Sequence, residues 1–137
     1  MPDIAIGYDE QVRDWVSNEL GLEKIGGDMF AAIGIAEDGE LIGGAVFHDY
    51  REHMIEMSFA STSPTWCSKK ILKAIFDYPF NQLGVTRINA VCAKGNKKMR
   101  LTVKRIGFKQ EGCARKGYDG KQDAVLYGML NKDCNWN

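Results

Sequence analysis

The sequence predicts an α/β (α+β) domain built on a mixed, mostly antiparallel central sheet of six to seven strands flanked by helices. Three observations point there. A chain of 137 residues, 45% of them hydrophobic, has enough apolar surface for one core. Two Asp-Gly turns, at Asp38-Gly39 and Asp119-Gly120, each sit between apolar runs. Two stretches of helical periodicity bracket a later strand, so that an antiparallel meander is followed by a parallel crossover. No repeat, linker or low-complexity run divides the chain, and residues 1–137 read as one domain.

Residues 3–7 fit a short strand. Asp9 can cap a helix whose Val12, Trp15, Val16 and Leu20 recur at helical spacing until Gly21 ends it. Residues 29–36 and 41–48 form a hairpin across Asp38-Gly39, where both turn positions tolerate positive φ. Residues 53–61 supply a third strand. There Met54 and Ile55 point to opposite faces, which marks a strand covered on both sides and therefore central. Ser63-Pro64 reads as a capping hydroxyl followed by proline at the first helical position, opening a helix that turns Ile71, Leu72, Ile75 and Phe76 inward and ends at Pro79. Residues 85–93 read as a strand. Asn96 then caps a helix with Met99, Val103 and Ile106 inward, and Gly107 stops it. Residues 108–115 and 122–130 close the domain as a hairpin.

Charge and cysteine usage exclude several classes. Eighteen Lys and Arg balance eighteen Asp and Glu, so no global field draws nucleic acid or anionic membrane. Cys67, Cys92, Cys113 and Cys134 form no CxxC pair, which argues against a zinc knuckle or redox motif and for reduced thiols. No signal-like segment or membrane-length apolar run is present, and a soluble cytoplasmic protein is expected. His48 and His53, with Asp49 and Glu52 between them, lack helical i, i+4 spacing and a third soft ligand, and read as a strand connection with no metal. Trp66, Phe76, Tyr78 and Phe80 read as core packing. Trp136 covers an apolar patch either within the chain or across a homodimer.

The stretch Tyr78-Pro79-Phe80-Asn81-Gln82-Leu83-Gly84-Val85, then Arg87-Ile88, Asn96, Arg105-Ile106-Gly107-Phe108, Glu111-Gly112 and residues 123–130, resembles the GCN5-related N-acetyltransferases (GNAT), especially the short ones encoded by phages and prophages. The resemblance spans roughly residues 60–137 and implies an acyl-CoA N-acyltransferase fold. Its cleft would lie between two splayed strands, here residues 53–61 and 85–93, with the pantetheine arm of acetyl-CoA in the opening. It further implies that the helix beginning near Ser63 presents its N-terminal amides to the pyrophosphate. The cofactor set that follows is Phe59, Ala60, Ser61, Ser63, Thr65, Trp66, Cys67, Ser68, Lys69, Asn96, Lys98, Met99, Arg100 and Val103. The family's glycine-bearing phosphate loop aligns with Ser63-Pro64-Thr65-Trp66-Cys67-Ser68, where both glycines are absent. The hydroxyls of Ser63, Thr65 and Ser68, with Lys69 and Lys70, are the candidate substitutes. Residues 94–109 hold seven Lys and Arg and no acid, a local cationic patch suited to phosphate or to a solvated helix face.

Acetyl transfer needs an uncharged amine, whereas lysine-type amines titrate near ~10.4. Glu56, midway along the central strand, is the candidate base, with His48 as runner-up. Many family members carry a Tyr seven residues after the Asn to protonate the leaving thiolate; here that position is Val103. Either water or another hydroxyl, such as Ser58, Thr102 or Tyr118, takes its place, or the protein is a catalytically weak relative. The catalytic set is therefore Glu56, Asn96 and Ser58, acting by direct transfer to an amine-bearing small molecule or peptide. Cys67 and Cys92 have no His or Asp nearby in sequence to activate them for a covalent relay. Two rival readings are a non-catalytic relative that binds CoA or a partner protein, and a nucleic-acid-binding module, which zero net charge opposes.

Overall fold

The computed structural model describes residues 2–64 and 66–136. Its elements are β1 (Asp3–Ala5), α1 (Asp9–Leu20), β2 (Phe30–Glu37), β3 (Glu40–Arg51), β4 (Met54–Ser61), α2 (Lys69–Asp77), β5 (Arg87–Ala93), α3 (Lys97–Ile106), β6 (Lys109–Ala114) and β7 (Ala124–Leu130). The seven strands form one sheet in the order β1-β2-β3-β4-β5-β7-β6, antiparallel except where β4 runs parallel to β5. The strand predicted to be central is the fourth of seven.

Local chemistry accounts for most boundaries. Asp38 and Gly39 both have positive φ, at 53° and 82°, which matches the right-handed twist of the β2–β3 hairpin. Gly21 ends α1 in the left-handed conformation, and the Asn96 side chain accepts the Met99 amide to cap α3. Asp9 is the first residue of α1 rather than its cap; its carboxylate instead accepts the backbone amide of Ala32, 3.3 Å away, and ties the helix to β2.

Two helix boundaries depart from expectation. The helix predicted from Ser63 begins at Lys69, with Ser68 as its cap accepting the Ile71 amide. The delay has a packing cause: Trp66 is buried with its ring 4.3 Å from that of Phe59, which anchors the chain ahead of α2. At the other end, Pro79 does not stop the chain's winding. The backbone continues through a π-helical turn, Tyr78–Gln82, because the proline enters near the start of that turn, where its missing N–H is tolerated.

The sheet has two covered faces. On one, α2 and α3 bury Ile71, Leu72, Ile75, Phe76, Val103 and Ile106 against Ile55, Met57, Ile88 and Tyr127. On the other, α1 buries Val12 and Val16 against Val46 and Ala60. Trp136 donates its indole N–H to the Ile106 carbonyl at 2.7 Å and packs on the larger core, so its apolar surface is covered within the chain.

The seat of α1 depends on two paired glycines, Gly34 and Gly44. A methyl at Gly44 would lie 2.7 Å from Val12 Cγ1 and 3.0 Å from Val16 Cγ2. Gly44→Ala is therefore expected to overpack the α1 face and lower stability by about 1–3 kcal/mol, read as a shift in the urea midpoint at unchanged slope.

Candidate active site

The pairing of β4 with β5 stops early. Its register runs from Met54↔Arg87 to Met57↔Ala90, yet β4 continues to Ser61 and β5 to Ala93. Beyond Met57 the two strands part, and the backbone groups of β4 that would have joined the ladder have no partner in β5. A cleft of about 330 Å³ opens there, lined by Phe59, Ala60 and Ser61 of β4, by Ser63, Pro64, Trp66 and Cys67 of the following loop, and by Asn96, Lys98 and Met99 at the start of α3. Most of the residues that the resemblance implied for the cofactor thus line one cavity.

The remaining residues of that set lie elsewhere. Ser68 and Lys69 open α2 beside the lining loop, Val103 is buried in the core, and Thr65 lies outside the described residues. The Arg100 guanidinium donates to the Tyr127 hydroxyl and the Lys94 carbonyl, each at 3.0 Å. With Lys94, Lys97 and Lys121 it lines a separate surface hollow. The basic stretch is accordingly split between two faces, Lys98 and Arg105 being the cations that reach the cleft. Of the candidate phosphate lysines, Lys70 pairs loosely with Asp3 at 3.4 Å and both side chains are exposed.

The cleft has walls that sequence reasoning did not include. Glu19 and Leu20 enter from the end of α1, on the opposite face of the sheet from α3, while Leu101, Thr102 and Arg105 continue the α3 wall. No local signal marks Glu19 or Leu20, because only the seating of α1 on Gly34 and Gly44 brings them to the opening. Leu101, at 52% exposure, breaks the inward apolar pattern of α3, and that break was readable.

A polar cluster stands on β3 and β4 where the pairing of β4 with β5 ends. Glu56 on β4 lies across from His48 on β3. His48 is buried at 6% exposure and both ring nitrogens are engaged, Nδ1 with the Asp49 carboxylate at 2.7 Å and Nε2 with the Ser58 hydroxyl at 2.8 Å. A Glu56 oxygen lies 3.7 Å from the same Nε2. Burial pushes the Glu56 carboxyl above its ordinary range, with nearby His48 opposing the rise and Asp49 adding to it. The predicted base, its runner-up and Ser58 are thus neighbours, and Asp49, read in sequence only as part of a strand connection, joins them.

The bond between Asp49 and His48 requires an irregular backbone. Adjacent residues in a strand point to opposite faces, but the β3–β4 register shifts between His48 and Arg51, and Asp49 adopts φ 53°. The bulge returns the carboxylate to its neighbour's ring. His53 is exposed, so the two histidines do not form a pair. Among the described residues, His48, Asp49 and Glu56 bring their side-chain donor atoms within 4.8 Å of one another.

Behind this cluster lies a second cavity of about 510 Å³, lined by Asp28, Met29, Phe30, His48, Asp49, Tyr50 and Tyr78 among others. Its lining has two carboxylates and no lysine or arginine. His48 and Asp49 face this cavity, and Ser58 reaches it through its bond to His48.

Other predicted groups are remote or inert. Burial raises the Cys92 thiol to about 11, with Arg100 opposing, and burial also raises Cys67; neither suits a thiolate nucleophile at neutral pH. Tyr118 is likewise raised by burial and is absent from the cleft lining, whereas Thr102 lines the cleft and donates to the Lys98 carbonyl at 2.9 Å. Trp66, Phe76 and Phe80 are buried in the core, as predicted. Among the described residues no helix is long and apolar enough to cross a membrane.

Comparison with known proteins agrees with this fold. Over 147 aligned residues the chain is 29% identical to a Bacillus subtilis (strain 168) protein named "Putative ribosomal N-acetyltransferase YdaF", covering 96% of this chain and 74% of that one. It is 31% identical over 106 residues to "Uncharacterized N-acetyltransferase YnaD" of the same organism, covering 71% of this chain and 60% of the relative. Among solved structures, a ribosomal-protein-S5-alanine acetyltransferase from Vibrio fischeri shares the fold at a TM-score of 0.65 and 17% identity, covering 80% of this chain and 65% of the other. The family model described as Acetyltransferase (GNAT) domain matches residues 7–109, well over half of the sequence. The chain belongs to the GNAT acetyltransferase family.

Proposed function

We propose that the protein is an acetyl-CoA-dependent N-acetyltransferase that moves the acetyl group directly to a primary amine, as one domain over residues 1–137. The observation that carries the reading is the parting of β4 from β5 after Met57 and Ala90, with a cleft at the gap and the Glu56–His48–Ser58 cluster on the strands where pairing ends. A pantetheine arm laid in the cleft would meet unpaired β4 amides suited to polarising the thioester carbonyl, a form of catalysis that needs no reactive side chain.

Asn96, Lys98 and Arg105 on α3, and Ser63 with the start of α2, are the groups suited to the nucleotide and phosphates. The Asn96 cap and its place in the cleft are compatible, since the side chain accepts the Met99 amide from the rim. The acceptor would enter through the second cavity. Its Asp28 and Asp49 favour a substrate arriving as a cation, and Glu56 takes the amine proton. Four free cysteines suit a reducing cytoplasm.

A second reading, a CoA- or protein-binding relative with weak catalysis, draws on the missing loop glycines and on Val103 where the family carries a Tyr.

Acetyl-CoA at a hundredfold excess over its Kd is expected to stabilise the fold by about 2.7 kcal/mol, a rise in Tm of roughly 5–10 °C, and no rise would remove the cofactor assignment. Thiol release across a panel of amines then separates enzyme from binder. Glu56→Gln should lower kcat by about 10²-fold while leaving the acetyl-CoA shift intact. Its effect on stability has the opposite sign. Burial raises the folded carboxyl's pKa, so an ionised Glu56 works against folding once pH passes the ordinary glutamate range near ~4.3. At neutral pH the variant should melt no lower than the parent, and at acid pH the difference should vanish.

A further inference from the structure

His48 presents a single ring nitrogen to two partners of opposite function. Nε2 lies 2.8 Å from the Ser58 hydroxyl and 3.7 Å from the Glu56 carboxylate, while Nδ1 is held 2.7 Å from Asp49. Ser58 is the first β4 residue beyond the last pair with β5, so it borders the gap where the leaving sulfur of a thioester in the cleft would lie. Glu56, two residues earlier on the same strand face, reaches the second cavity through His48, which lines it and lies 3.7 Å from the Glu56 carboxylate. Val103, at the position where a protonating hydroxyl is expected, is buried in the core.

We infer that His48 is a proton shuttle that joins the base of the reaction to its acid, carrying the amine's proton to the departing thiolate. This rests on the transferase reading above. Asp49 accepts the Nδ1 hydrogen and so fixes the tautomer in which Nε2 is bare and accepts from Ser58. When the neutral amine attacks, the new N–C bond forms and the nitrogen gives a proton to Glu56. The Glu56 carboxyl then passes that proton to Nε2, and the resulting imidazolium is stabilised by Asp49. As the C–S bond breaks, the thiolate takes the Ser58 hydroxyl proton and Ser58 recovers one from Nε2. Glu56 is again a carboxylate, His48 neutral and Ser58 a hydroxyl; the products are the amide and the free thiol, and the one proton released to solvent is that lost by the ammonium before attack.

The arrangement uses features that packing does not explain. The φ of 53° at Asp49 and the register shift beside it place a carboxylate on the neighbouring imidazole, at the wall of the second cavity. The charged and titratable groups around His48 are Asp49 and Tyr50 on β3, Glu56 on β4, Asp28 in the segment before β2 and Tyr78 after α2. From α1, the Arg13 guanidinium lies over the ring of Phe30, the β2 residue paired with His48, and donates to the Gly27 carbonyl.

The chain has two histidines, which makes a long-range ¹⁵N–¹H correlation spectrum readable without substrate. His48 is expected as the Nδ1–H tautomer, and Asp49→Asn is expected to shift it toward the other; an Nε2–H tautomer in the parent protein overturns the shuttle. Asn tolerates the left-handed conformation, so that variant keeps the bulge. In thiol-release assays Ser58→Ala should lower kcat by about 10²-fold with KM for acetyl-CoA unchanged and should lose the alkaline limb of the kcat–pH profile, while Ser58→Thr should retain most activity. A Ser58→Ala enzyme with the parental kcat and pH profile overturns the shuttle alone, and loss of parental activity on chelation would assign the cluster to a metal and overturn it too. A parental protein that leaves acetyl-CoA unbound overturns the transferase reading and the shuttle with it.

Discussion

The structure is organised around the failure of two parallel strands to stay paired. Hydrogen bonding between β4 and β5 runs for four register pairs and then stops, although each strand continues. Backbone amides without ladder partners are tolerated where solvent or a ligand can reach them and are costly when sealed in a core. The surrounding structure respects that rule. Helix α3 stands at one side of the gap, the end of α1 at the other, and the loop after β4 forms its rim, so the parting is held open as a cleft rather than filled by side chains.

Holding that shape depends on asymmetry between the two faces of the sheet. Helices α2 and α3 share a large aromatic-rich core, with Phe76 near both Phe80 and Phe108. Helix α1 rests on a smaller core and approaches the sheet through two glycines. Arg13 strengthens that side: its guanidinium donates to the Gly27 carbonyl at 2.7 Å and lies over the Phe30 ring, pinning the segment that forms part of the second cavity. Both cores contribute to both cavities: Phe59 and Trp66 of the larger and Ala60 of the smaller line the cleft, while Phe47 and Ile55 of the larger and Phe30, packed on the smaller, line the second cavity.

The fold was largely legible because its signals are local. Asp-Gly turns, the Asn96 cap and the adjacent apolar pair at Met54 and Ile55 each specify geometry within a few residues. The start of α2 was misread for the same reason. Ser63-Pro64 is a sound local start signal, but burial of Trp66 against Phe59 is a tertiary preference that overrides it. The site was legible in part: β4 positions and the α3 start were found from order and resemblance. Glu19 and Leu20 depend on how α1 docks. The role of Asp49 depends on a bulge, and nothing in the residues 48–53 announces that a carboxylate will turn back toward the preceding ring. Similarly, the count of cations in residues 94–109 overstates the charge at the cleft, because the helix divides them between two surfaces.

The left-handed backbone at Asp49 also limits which amino acids that site can accept. Most side chains resist the conformation, while Gly, Asn and Asp adopt it readily. Of those three, only aspartate carries a negative charge. Conformational demand and electrostatic demand therefore converge on one residue type, and a family member keeping the bulge would have little freedom to vary there, whereas one that straightened β3 would lose the imidazole's partner and gain latitude at both positions.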